Sequence, residues 1–143
     1  MTIEKHVLQD TKIDVKIKLA ALWTATVLCY IYGDYFELYV PGKLSSMLDG
    51  NILPLGPVTQ EILVGTSTML MIQCVMVFLS LVMKPSLNRW VNLVFGLIFA
   101  CIVLAVISQS GWLFYTLLGA VEIALLLCIV WQAWNWPRIR QGA

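Results

Sequence analysis

Positive charge is almost missing from the long hydrophobic runs of this chain. Beyond Lys18, at the very start of the first run, no Lys, Arg or His interrupts any of them. Histidine occurs once, as His6 in a polar N-terminal tail, which leaves no His/Cys ligand spacing, no Glu-x-x-His pair and no basis for haem. The four cysteines, Cys29, Cys74, Cys101 and Cys128, fall one per apolar run, and none forms a CxxC pair. Thiol-disulfide chemistry is therefore not indicated, and the thiols read as small apolar residues between helices. Depth counting puts Cys29 level with Cys101 and Cys74 level with Cys128, so a buried pair stays open. GxSxG, Walker and catalytic Cys/His patterns are missing as well. A net charge of +1 with no basic stripe excludes nucleic acid as a partner. No cofactor and no metal centre is called for.

What remains is mostly hydrophobic. Of 143 residues, 60% are apolar and 12% charged, and the mean hydropathy of +0.86 marks an integral membrane protein of one domain. Four segments reach the ~20 apolar residues that a membrane helix requires. They run at about 17–40, 60–83, 90–109 and 112–136, with an outer connection over 41–59. The first apolar run is too long for a signal-peptide core and lacks a small-x-small cleavage site, so it reads as a retained span. Short connections at 84–89 and 108–111 imply antiparallel neighbours, hence an all-α, up-down-up-down four-helix bundle.

Charge orients it. Lys5, Lys12, Lys16, Lys18, Lys84, Arg89, Arg138 and Arg140 fall on one side, and Lys43 alone on the other. The positive-inside rule then places both termini in the cytoplasm. Trp23, Trp90, Trp131, Trp134 and Trp136 fall near the inner interface, and Tyr35, Tyr39, Trp112 and Tyr115 near the outer one. Within the outer loop, Leu44, Met47 and Leu48 are spaced as a short helix that Gly50 can end. Gly65, Gly96, Gly119 and the Ala120/Ala124 pair offer small surfaces for close helix approach.

Polar residues inside the spans are the functional candidates. Trp23, Val27, Tyr30, Asp34 and Glu37 follow a 4-3-4-3 spacing and share a helix stripe. Asp34 lies ~25 Å and Glu37 ~30 Å along the first run, near the outer edge of a core ~30 Å thick. Glu122 lies ~15 Å into the fourth, close to the midplane, on one face with Tyr115 and Gly119. Thr59, Thr66, Gln73 and Ser80 recur every seventh residue as a polar seam, which reads first as packing between helices. Asn88 and Asn92 add polar atoms at the inner end. Glu61, at the start of the second span, fits a helix dipole. With no Lys, Arg or His inside the spans beyond Lys18, Asp34, Glu37 and Glu122 have no evident cationic partner within the chain and must carry protons or be neutralised from outside.

The segments "IKLAALWTATVLCYIYGDYF" and "VEIALLLCIVWQAWNWP" resemble a family of small four-helix bacterial integral membrane proteins of unknown function. The resemblance rests on Leu19, Ala21, Leu22, Trp23, Tyr30, Tyr32, Gly33, Asp34, Glu122, Trp136 and Pro137. It implies a bacterial cytoplasmic membrane and supplies no activity. In layout the chain is also loosely similar to DoxX-like proteins. Three functions follow as expectations. The first is a ligand or proton site of Asp34, Glu37, Glu122, Tyr30, Tyr115, Gln73 and Glu61 for a proton, a small cation or a cationic amphiphile. The second is a structural or accessory subunit, as a homo-oligomer or with a membrane partner. The third is an acid-base enzyme on a membrane-dissolved substrate. In every case membrane lipids surround the protein.

Overall fold

The computed structural model describes residues 11–52 and 55–137. Expectations for Lys5, His6, Arg138 and Arg140 lie outside the described residues. The fold is helical: α1 (Val15–Glu37), a short α2 (Lys43–Leu48), α3 (Gln60–Val82), α4 (Pro85–Ile107) and α5 (Leu113–Trp134). Four of these helices are long and apolar enough to cross a membrane. At 22–23 residues each, they extend roughly 33–35 Å, slightly more than a hydrocarbon core.

Local chemistry explains where they begin and end. Asp14 caps α1 by accepting a hydrogen bond from the Lys16 N–H at 2.8 Å. The helix therefore starts two residues before the expected Ile17, and it stops at Glu37 rather than Val40. Thr59 caps α3 through the Ile62 N–H at 3.3 Å. Pro85 occupies the first turn of α4, where a missing N–H costs nothing. That helix thus begins five residues earlier than expected and takes in Arg89. The outer loop holds α2 as anticipated, with Gly50 just beyond it at φ 76°. A two-residue antiparallel bridge then pairs Asn51 with Pro57 and Ile52 with Gly56.

In the packing, α1 lies against α3 and α5, and α4 lies against α5. The core is built from Leu19, Trp23, Met76, Phe99, Val103, Leu126 and Ile129. Outward faces carry large apolar side chains such as Ile31, Val64, Phe78, Leu104 and Leu127, all exposed. In water such a surface would be a liability; in lipid it is a solvated one. Trp23 departs from its expected place at the interface. It is wholly buried, packs edge-on against Phe99 at 6.0 Å and donates from Nε1 to Asn92 Oδ1 at 2.7 Å. Trp90, Trp131 and Trp134 are exposed. The cysteines are all free, and Cys74, Cys101 and Cys128 face outward, so the buried pairs left open by the sequence do not form.

Two glycines set the α4–α5 contact. A Cβ on Gly96 would stand 2.8 Å from Val130 Cγ2, and one on Gly119 would collide with Ile107 Cγ2. Gly65 faces open space, while Ala120 and Ala124 are exposed. Ile107 is β-branched and cannot swing aside freely. Gly119→Ala is therefore expected to destabilise the bundle by about 1–2 kcal/mol, in the lower part of the overpacking range. Gly65→Ala should be near neutral. Denaturant unfolding of both variants in detergent checks the contrast.

Candidate functional site

The half of the bundle that holds the start of α1, the end of α3 and the start of α4 is tied by a hydrogen-bonded knot. Asn92 Oδ1 accepts from Trp23 Nε1 and from Ser80 Oγ, the latter at 3.4 Å. Its Nδ2 donates to the Asn88 carbonyl at 2.8 Å and to Asn88 Oδ1 at 2.6 Å. Asn88 Nδ2 in turn donates to the Ser80 carbonyl at 2.6 Å. Ser80, Asn88 and Asn92 are fully buried, so this part of the polar seam acts as packing glue. Thr26 spends its hydroxyl on the Leu22 carbonyl of its own helix.

Above the knot the polar groups are less well provided for. Gln73 is wholly buried, and among the described residues neither atom of its amide makes a well-formed hydrogen bond. The Tyr30 hydroxyl, likewise buried, interacts with that amide in a contact short of a well-formed hydrogen bond. Buried polar atoms are normally satisfied, by protein, water or ligand, and leaving one bare costs about 1–3 kcal/mol. Around them stand the acids. Glu122, on α5, is 6% exposed and interacts electrostatically with Asp34, Tyr30 and Tyr115. Asp34 interacts in turn with Glu37 and Lys43. Tyr115 lies in the field of all three carboxylates.

Six of the seven residues singled out from sequence are thus brought together: Tyr30, Asp34, Glu37, Gln73, Tyr115 and Glu122. Glu61 stays apart, exposed in the first turn of α3, where a carboxylate complements the positive helix end. The α1 stripe needs adjustment. Its buried line is Leu19, Trp23, Thr26 and Gly33, with Gly33 toward Leu118 of α5. Asp34 sits on the edge of that line and is exposed.

One expectation is overturned. The acids do have a cationic partner, because Lys43, in the first turn of α2, pairs with Glu37 at 2.7 Å. Its side chain is only 9% exposed and Glu37's 28%. The signal was present in the sequence, since Lys43 is the lone Lys or Arg of the outer connection, six residues past Glu37. The apolar spans taken alone do not reveal it, because the partner comes from the loop, turned back over the end of α1. Asp34 and Glu122 make no ion pair among the described residues.

An apolar groove of about 460 Å³ opens between the end of α1 and the start of α5. A smaller one, of about 260 Å³, lies between α3 and α4 among Met71, Met76 and Phe95. Neither is lined by Asp34, Glu37 or Glu122. At the outer rim, the Tyr35 and Tyr39 hydroxyls share a hydrogen bond at 2.8 Å.

Neither curated proteins nor solved structures give a match to this chain. The looser likeness to DoxX-like proteins finds no support among the comparisons. Residues 8–141 match a family of unknown function, DUF6326, and the chain belongs to that family.

Proposed function

We propose that the outer half of the bundle is a binding site for a proton or a cation, held by Asp34, Glu37 and Glu122 with Tyr30, Tyr115 and Gln73. The observation that carries this reading is the gathering of Glu122 and Asp34 about the buried Tyr30 and Gln73 side chains, neither of which makes a well-formed hydrogen bond among the described residues, with Lys43 paired to Glu37. Charge is in excess of its compensation there, and hydrogen-bonding capacity is unspent. The knot beneath, with every member hydrogen-bonded, makes this a site entered from the outer side.

The membrane frame belongs to the same proposal. The helices run up-down-up-down in a bacterial inner membrane, with both termini cytoplasmic. The contact of Gly96 with Val130 and of Gly119 with Ile107 supports opposed α4 and α5. The Lys16 Nζ bond to the Leu81 carbonyl ties the start of α1 to the end of α3. Lys12, Lys16, Lys18, Lys84 and Arg89 on one side, against Lys43, support the orientation.

The test is cation-coupled proton release. Purified protein in a lightly buffered detergent solution is mixed with tetramethylammonium while a pH indicator is read. Wild type is expected to release protons, and Asp34→Asn to release fewer. Lys43→Gln frees the Glu37 carboxylate, so half-maximal release should come at about two- to fivefold lower cation concentration, the range of a partly exposed ion pair. If wild type and both variants release nothing across accessible concentrations and pH, the binding reading fails. A structural role for these acids has one observation in its favour, the charge of Glu37 already met by Lys43. On that reading the same variants lose only stability or assembly.

A further inference from the structure

We infer that Gln73, Tyr30 and Glu122 hold an internal water molecule where α1, α3 and α5 come together. This rests on the proton-or-cation reading and deepens it, by giving Glu122 a hydration partner inside the bundle. The amide of Gln73 carries the argument. It has two N–H donors and an acceptor oxygen, it is fully buried, and among the described residues neither end makes a well-formed hydrogen bond. Tyr30 cannot meet both ends. If its hydroxyl donates to Gln73 Oε1, both amide hydrogens stay bare; if it accepts from Nε2, the oxygen stays bare. A metal ion or an ammonium group would serve the oxygen alone. Water both donates and accepts, and buried waters characteristically bridge polar groups that the protein leaves unsatisfied.

Register brings the three side chains to one level. Trp23 of α1 and Ser80 of α3 meet at Asn92 Oδ1. Tyr30 and Gln73 each lie seven residues further from the knot along those helices, and they interact with one another. Gly33 of α1 faces Leu118 of α5. One turn from that contact toward the knot come Tyr30 on α1 and Glu122 on α5, which interact electrostatically. The layer beneath offers the amide nothing. Met76, one turn from Gln73, is buried and apolar, and Thr26, one turn from Tyr30, gives its hydroxyl to the Leu22 carbonyl. The knot's own polar groups are two turns away, or ~10 Å. Neither apolar groove is lined by Tyr30, Gln73 or Glu122, and Gln73 is fully covered, which favours the smallest polar occupant. That occupant suits Glu122 in both of its states. Water accepts from a protonated carboxyl and donates to an ionised one.

Nuclear magnetic resonance on the full chain in deuterated micelles tests this with no added ligand, using glutamine labelled with nitrogen-15 at the side-chain amide. The Gln73 amide, assigned by its contacts to the Tyr30 ring, should show a rotating-frame cross-peak to water. Its sign separates a held water from chemical exchange. Glu122→Leu, which removes one of the three polar partners, should lose that peak, and Glu122→Gln, which keeps polar atoms there, should retain it. Any other pattern in the two folded variants overturns the inference. A wild-type Gln73 amide without water contact, bonded instead to Tyr30 or directly to the Glu122 carboxyl, overturns it too. That wild-type spectrum decides alone if Glu122→Leu fails to fold. Failure of the underlying reading looks different, since tetramethylammonium then releases no protons from wild type while the water peak at Gln73 stands.

Discussion

Asn92→Leu is expected to be the most destabilising single exchange among the polar residues of the bundle, by about 2–4 kcal/mol, with little effect on the outer site. Leucine matches asparagine closely enough in size that a cavity is not the cause. The loss comes from what is left behind. Trp23 Nε1, fully buried, would have no acceptor once Asn92 Oδ1 is gone, and Asn88 Oδ1 would lose its donor. An orphaned buried polar group costs about 1–3 kcal/mol. Hydrogen bonds between membrane helices average nearer 0.6 kcal/mol by double-mutant cycles, because the unfolded chain in lipid finds partners too. Two orphaned groups inside a fully satisfied network therefore give the stated range. Trp23→Phe removes the indole N–H from the opposite side, and its penalty should not add to that of Asn92→Leu, since both break the same bond. Unfolding curves for the two single variants and the double variant measure that coupling. Additive losses would mean that the knot is a set of independent contacts.

How legible the molecule was in its sequence differs between its two halves. Helix number and type followed from apolar run length alone, because a bilayer leaves a spanning backbone no alternative to internal hydrogen bonds. Boundaries were harder. Pro85 falls within the connection that the sequence implies over 84–89, whereas at the first turn it opens a helix; only its register decides between the two. Trp23 illustrates another limit. A tryptophan near a span's end is usually an interfacial anchor, and only the position of Asn92, 69 residues away, turns it into a core residue. Periodicity placed Tyr30, Asp34 and Glu37 together on α1, and Tyr115 with Glu122 on α5. It could not show that the two sets meet, because helix packing order is not written in either helix. Lys43 escaped for a related reason. Its reach depends on Pro41 and Gly42 turning the chain so that α2 folds back over Glu37, and a left-handed Gly42 at φ 81° makes that turn. The apolar groove had no sequence signal at all, as its walls come from two segments some 70 residues apart that look like ordinary interface aromatics.

Glu122→Gln should abolish most cation-coupled proton release while leaving the fold as stable as wild type or more so. The two halves of that expectation have one origin. A carboxylate near the bilayer midplane costs roughly 2.5–3.5 kcal/mol on insertion scales, and here it is 6% exposed with no ion pair among the described residues. A proton-bearing Glu122 carries no charge, so glutamine of similar size should leave the unfolding free energy near that of wild type, and it rises only to the extent that the carboxylate is ionised. Function moves the other way. Glutamine cannot exchange a proton, so an arriving cation has none to displace at this position, and release should fall to that of the remaining acids. Asp34→Asn provides the contrast: its group is exposed, so its replacement should weaken cation binding without a stability gain. Measured side by side, proton release and unfolding separate the readings. A Glu122→Gln protein that unfolds more easily while releasing protons as before would make Glu122 a packing residue, and the site would then have to be rebuilt around Asp34 and Glu37 alone.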